Sequence, residues 1–170
     1  DLVLDNVCRL MQAGCNAIKI EGAEGHLEVI EHVVESGVPV MGHLGLTPQS
    51  VEAFGGHKVQ GKTECSAEKI RKSALALEKA GCFALVLECV PQKLADQITK
   101  ELRIPTIGIG AGPHTDGQVL VTHDILGLSE LTPKFTKNFL TDANSIKEAI
   151  ECYKEAVLSS KFPSSENCFE

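Results

Sequence analysis

Ala13-Gly14-Cys15-Asn16-Ala17-Ile18-Lys19-Ile20-Glu21 and Ala80-Gly81-Cys82-Phe83-Ala84-Leu85-Val86-Leu87-Glu88 are two copies of one pattern, 67 residues apart. Both open on an Ala-Gly pair suited to a helix C-terminus, where a left-handed glycine closes the last turn. Both then run through a short apolar stretch into a glutamate. Each is followed by a segment with helical apolar spacing, Leu27, Ile30 and Val34 in one, Leu94, Ile98 and Leu102 in the other. A second apolar run then starts at X-Pro: Val38-Pro39-Val40-Met41-Gly42-His43 and Ile104-Pro105-Thr106-Ile107-Gly108-Ile109-Gly110. The intervals Glu21 to His43 and Glu88 to Gly110 are both 22 residues, so the whole unit repeats. Helix end, strand, helix, strand, twice over, is the alternation that builds a parallel sheet.

Working outward, strands are expected at 17–20, 40–42, 84–87 and 106–109, with a fifth at 119–122. Helices are expected at 67–79, 133–140 and 145–158. Residues 159–170 form a C-terminal tail that is ordered only if it docks. The 170 residues, 43% of them hydrophobic, make one α/β domain. An eight-stranded parallel barrel usually takes about 250 residues, so a barrel reading must account for the short chain.

The composition narrows the function classes. Sixteen basic against 23 acidic side chains give a formal charge of -7, and no run of Lys or Arg offers a footprint for nucleic acid. No stretch approaches the ~18 to 20 apolar residues of a membrane span, and Asp1-Leu2-Val3-Leu4-Asp5 lacks the basic start of a signal or transit peptide. An intracellular protein is expected, cytoplasmic, or mitochondrial if a targeting segment precedes Asp1. The seven cysteines are odd in number and irregularly spaced, so they are read as reduced, mostly buried thiols. Cys89 follows an acid, which disfavours a catalytic thiolate.

In a parallel α/β sheet the chemistry gathers at the C-terminal strand ends, and that is where the unusual residues fall. Lys19 interrupts an apolar strand, Glu21 ends it, His43 ends the next and Glu88 the third. Gly108 to Gly112 would let backbone approach a ligand at the fourth. Each residue alone has an ordinary structural explanation, as an ion pair, a cap or a packed histidine. Two glutamates at equivalent strand ends, with a Lys and a His beside them, point instead to a site. His123-Asp124 after the fifth strand could line the same mouth and is kept as a candidate behind the reacting groups. Gly108, Gly110 and Gly112 match a dinucleotide-binding loop only superficially, because the spacing is not GxGxxG.

The runs Met41-Gly42-His43-Leu44-Gly45-Leu46-Thr47-Pro48-Gln49-Ser50 and Gly55-Gly56-His57-Lys58-Val59-Gln60-Gly61 closely resemble the ketopantoate hydroxymethyltransferase family. So do Lys19-Ile20-Glu21-Gly22, Leu87-Glu88-Cys89-Val90-Pro91, Ile107-Gly108-Ile109-Gly110-Ala111-Gly112, His123-Asp124, Pro133-Lys134-Phe135 and the tail through Phe169. The resemblance implies a (β/α)8 TIM barrel of the phosphoenolpyruvate/pyruvate type, of which this chain carries the last five β/α units. It implies transfer of a hydroxymethyl group from 5,10-methylenetetrahydrofolate to α-ketoisovalerate (3-methyl-2-oxobutanoate), giving ketopantoate for pantothenate synthesis, with Mg²⁺ as cofactor. By motif, Lys19 and His43 would contact substrate, Glu21 would belong to the metal site and Glu88 would be the proton acceptor. A homo-oligomer is implied too, commonly a decamer of two pentameric rings.

The family's Asp-Ser pair and a further Asp, its principal metal ligands, lie in three N-terminal strands that have no counterpart here. Asp1 and Asp5 do not match them. The chain is therefore expected to be part of a longer one, or to have its open edge covered by an unusual assembly. A catalytically silent fragment serving as an oligomerisation or binding module stands as the alternative. A lyase of the same superfamily acting on another 2-keto acid is a third reading.

Overall fold

Five parallel strands stand side by side in chain order, β1-β2-β3-β4-β5, each hydrogen-bonded to the next. A computed structural model describes residues 2–53 and 55–170. Its elements are α1 (Leu2–Gln12), β1 (Ile18–Glu21), α2 (Leu27–Glu35), β2 (Val40–Gly45), α3 (Glu64–Lys79) and β3 (Ala84–Glu88). There follow α4 (Gln92–Glu101), β4 (Thr106–Ile109), β5 (Gly117–Gln118), α5 (Thr122–Ile125) and α6 (Ile146–Leu158). These are consecutive β/α units of a TIM-type barrel, and the sheet is not closed. Among the described residues no helix is long and apolar enough to cross a membrane.

The strands form because short apolar runs can bury both faces. Ile18, Val40, Leu44, Leu85 and Leu87 point into one core, packed with Ile30 and Val33 of α2, Ala74 and Leu77 of α3, and Leu94 and Ile98 of α4. The alternate residues Met41, Val86, Ile107 and Ile109 belong to a second cluster with Leu120, Ile125, Phe139 and Phe162. Ile30, Leu77, Leu85, Leu87 and Ile98 are fully enclosed, and each such side chain contributes about 1.5–3 kcal/mol by leaving water. Helix starts follow local chemistry. Thr63 caps α3 through a reciprocal pair with Ser66, which starts the helix three residues before the expected 67, and the Ser145 hydroxyl accepts from Glu148 N at the start of α6.

Four strands lie where the repeat places them, to within a few residues, and two expectations are corrected. The fifth strand is not 119–122 but Gly117–Gln118, paired with Ile107 and Gly108. Strand β4 stops at Ile109, and Gly110 turns away with φ +63°, so the ladder offers no further partner and Thr122 already begins α5. Residues 133–140 are not helical. Their carbonyls are engaged elsewhere: those of Lys134 and Thr136 accept from Asn167 Nδ2, while Phe139 N donates to Ile125 O. The tail docks, with Phe162 and Cys168 buried and Gln92 N donating to Phe169 O.

The cysteines also depart from expectation. Cys82, Cys89 and Cys168 are buried, but Cys8, Cys15, Cys65 and Cys152 are exposed, on outer helix faces or a helix end, and all seven are free.

Gly45 ends β2 with φ +95°, and a Cβ there would stand 2.0 Å from Glu88 O and 2.9 Å from Val90 Cγ1. Gly14 has φ +100° but nothing within 4 Å of its Cβ direction. Gly45→Ala therefore combines left-handed strain with a backbone clash and is expected to cost about 2–4 kcal/mol. Gly14→Ala carries the strain alone, about 1–2 kcal/mol. Urea denaturation midpoints of the two variants test this, and equal shifts would refute the packing at the β2–β3 junction.

Candidate active site

The pleat of β1, β2 and β3 brings Lys19, Glu21, His43 and Glu88 to the sheet face opposite α2, α3 and α4. Register aligns Glu21 with His43, and Gly45 with Glu88. At the centre is His43, 1% exposed. Its Nδ1 lies 3.2 Å from Lys19 Nζ and 3.9 Å from Glu21 Oε1, and its Nε2 lies 3.1 Å from Glu88 Oε2. Lys19 Nζ is 3.8 Å from Glu21 Oε1, and Glu21 Oε2 accepts from Gln49 N at 3.1 Å.

This geometry fixes the imidazole. An ammonium has donors and no acceptor, so Nδ1 accepts from Lys19 and the neutral ring carries its proton on Nε2. That proton faces Glu88, yet Nε2 makes no hydrogen bond among the described residues, because the N–H is not aligned on the nearby carboxylate oxygen. A buried donor left unpaired costs about 1–3 kcal/mol. A ligand oxygen that reached the Nε2–H beside the Glu88 carboxylate would relieve it.

Backbone geometry holds Glu88 in place. Glu88 O accepts from Leu46 N, Cys89 N donates to Ile109 O, and Cys89 takes the left-handed conformation, φ 49°. The Cys89 thiol is pushed up to about 12, first by burial and then by the Glu88 carboxylate. It is therefore protonated at neutral pH and not a nucleophile.

Three hollows adjoin the group. Two, each of about 390 Å³, lie beside Glu21: one towards α1, the other towards Thr47, Ser50 and Lys69. The third, of about 450 Å³, opens at Glu88 and is walled by Leu46, Cys89, Phe135 and Phe169. Among the described residues no three His, Cys, Asp or Glu side chains converge to hold a metal ion. Glu21 fits as a single carboxylate ligand or water-bridged partner of Mg²⁺, which commonly takes only one or two protein carboxylates and keeps several waters.

Not every candidate residue joins the group. His123 is exposed on α5, and Asp124 accepts from the Ser129 hydroxyl, so this pair shows no link to Lys19, His43 or Glu88. The glycines at the β4 end make room for neighbouring parts of the protein. A Cβ at Gly108 would meet Thr115 Oγ1 at 2.6 Å, one at Gly110 would meet Phe135 Cδ1 at 2.9 Å, and one at Gly112 would meet Gln92 Cβ at 2.4 Å. Sequence reasoning missed the Gln49 amide, whose only local signal is the turn at Thr47-Pro48. It also missed the hollow at Glu88, whose walls come from segments far apart in the chain.

A family model described as "Ketopantoate hydroxymethyltransferase" matches residues 2–165. The protein named 3-methyl-2-oxobutanoate hydroxymethyltransferase in Legionella pneumophila is 54% identical over 168 residues, covering 98% of this chain and 64% of the relative. The protein of the same name in Francisella tularensis subsp. novicida is 47% identical over 171 residues, covering 100% of this chain and 64% of the relative. That of Aeromonas hydrophila is 54% identical over 165 residues, covering 96% and 62%. The chain thus spans somewhat under two thirds of the length of the curated relatives it matches.

Two outcomes are expected from this geometry. In ¹⁵N-resolved NMR at neutral pH, His43 should show a protonated Nε2 and an unprotonated Nδ1, and Lys19→Met should move it towards a tautomer mixture. An Nδ1-protonated ring in the unaltered chain would refute the assignment. Iodoacetamide at pH 8 should modify Cys8, Cys15, Cys65 and Cys152 while Cys89 reacts more than about 10³-fold more slowly, since the thiolate is the reactive form. Cys89 gains reactivity only as pH rises towards about 12.

Proposed function

Since the chain belongs to the ketopantoate hydroxymethyltransferase family, we propose that it carries the proton-transfer half of a site that converts 3-methyl-2-oxobutanoate, 5,10-methylenetetrahydrofolate and water into ketopantoate and tetrahydrofolate. The observation that carries this reading is the buried His43 Nε2, unsatisfied and 3.1 Å from the Glu88 carboxylate. Donor and base stand side by side, and the base opens on a hollow of about 450 Å³.

The C3 proton of a 2-keto acid is too weakly acidic for a carboxylate unless the charge developing on the keto oxygen is stabilised. Glu88 takes that proton, and its partly buried position limits competition from water. The Lys19 ammonium faces the substrate's negative charge, and the His43 Nε2–H donates to a substrate or product oxygen. Mg²⁺, held in part by Glu21, supplies Lewis-acid stabilisation of the same charge when bound. The carbon freed by Glu88 then bonds to the donor's methylene carbon. Both carbon–nitrogen bonds of that methylene break, water provides the new hydroxyl, and the C3 proton and one water proton pass to the two nitrogens.

A second reading, a silent module that forms oligomers, is favoured by the apolar residues exposed at the sheet's flanks, Leu2, Val3 and Leu10 on α1 and Val119 and Val121 beyond β5. A homo-oligomer is compatible with either reading. Sedimentation separates them when combined with ligand binding: a folded oligomer with no affinity for Mg²⁺ or keto acid favours the silent module.

Proton NMR of α-ketoisovalerate in deuterium oxide tests the proposal. The 170-residue chain with Mg²⁺ is expected to exchange the C3 proton, and Glu88→Gln to lower the rate by about 10² to 10⁴-fold, the usual contribution of a positioned base. A folded chain that exchanges no faster than Mg²⁺ alone overturns the reading.

A further inference from the structure

Resting on that reading, we infer that the hollow at Glu88 seats the one-carbon donor, held as a flat heteroaromatic ring with its anionic tail over Lys58 and Lys134. The new carbon–carbon bond forms at the carbon that Glu88 deprotonates. Reacting atoms must approach to about 3–3.5 Å, so the donor has to occupy a space that opens on Glu88. The 450 Å³ hollow does, whereas the two hollows beside Glu21 do not have Glu88 among their walls.

Its chemistry suits such a ligand. The volume lies within the range of small-molecule pockets, about 300–1,000 Å³, and the surface is mostly apolar, from Leu46, Cys89, Phe135 and Phe169. Phe135 and Phe169 meet edge to face, ring centroids 6.4 Å apart and planes 67° apart. An inserted ring can therefore lie against the face of one and the edge of the other, both favourable aromatic contacts.

The rim supplies charge of the right sign. On a chain of net charge -7, Lys58 and Lys134 both line this hollow, together with His57. Lys134 Nζ gives a hydrogen bond to Cys168 O, leaving donors free. None of the ion pairs among the described residues engages either lysine. Carboxylates on a ligand's tail would be drawn to this rim.

Beyond Leu46, Glu88 and Cys89, the hollow is built by segments the proton-transfer group does not use. Gly110 leaves room for the Phe135 ring, and Gln92 N holds the tail at Phe169 O. Among the described residues, segments 57–59 and 131–135 make no hydrogen bond or ion pair with Lys19 or His43, and donor binding gives them a role.

Calorimetric titration of the 170-residue chain with 5-formyltetrahydrofolate, a stable folate, tests the inference. Binding is expected, weakened at least tenfold by Lys58→Glu, retained by Lys58→Arg and weakened about tenfold by Phe169→Ala. Lys58 is exposed, so its substitutions read binding without threatening the fold. Affinity unchanged in both Lys58→Glu and Phe169→Ala overturns the inference. So does absence of binding by a chain that exchanges the keto-acid proton. Absence of exchange with folate binding intact overturns the function proposed for Glu88 and leaves the hollow as a site for an anionic heteroaromatic ligand.

Discussion

Alternation along a pleated strand is strict: successive residues face opposite sides, so a shift of one residue turns a whole strand inside out. This constraint governs the molecule. Ile18, Val40, Leu44, Leu85 and Leu87 are locked into the core under α2, α3 and α4. Lys19, Glu21, His43 and Glu88 occupy the intervening positions and must appear on the other face. A slip in any of the three strands would drive a charged or polar group beneath the helices and leave a leucine or isoleucine at the mouth. The apolar core is what holds four polar side chains within contact distance, and no contact among those four is strong enough to do so alone.

The same constraint explains why much of this was legible in the sequence. A strand buried on one side by helices and bearing polar groups at its C-terminal end leaves a repeating pattern, and the two copies ending at Glu21 and Glu88 show it. The register that brings His43 between them follows once the strands are placed. What was illegible depends on partners far away in the chain. Val119 to Thr122 has strand composition, but whether it pairs is decided by where β4 turns away at Gly110. Residues 133–140 have helical spacing, but Asn167 of the docked tail takes two of their carbonyls. The glycines at 108, 110 and 112 resembled a ligand loop because a missing Cβ leaves the same signal whether a ligand or a side chain fills the space. His123 sits at the right place in the chain, but α5 turns it outward.

The two edges of the sheet are unlike its centre. β1 and β5 each have one hydrogen-bonded neighbour, and apolar side chains lie exposed beside both. An open parallel edge offers unpaired backbone groups and apolar surface to whatever lies next to it, and closing a barrel needs further strands. The β1 edge also borders Lys19, the most exposed of the four polar residues at 45%. Whatever covers this edge would change the solvent around Lys19 far more than around Glu21, His43 and Glu88, whose side chains are already largely enclosed. The Lys19 side of the proposed site is thus the side the described residues leave most open.

The site divides by the kind of element that builds it. The proposed proton-transfer group is carried on strand ends, where packing restricts rotamers and positions are set to a fraction of an ångström. The hollow proposed for the one-carbon donor is walled by loops and the tail, which tolerate change more readily than strands do. A base and a hydrogen-bond donor need fixed mutual geometry, because proton transfer is sensitive to small displacements. A large ring with a flexible anionic tail needs area, a surface of the right polarity and positive charge at the rim, all of which loops can supply. Such a division lets the fit of the donor vary through residues 57–59, 131–135 and 169 without disturbing the register on which His43 and Glu88 depend.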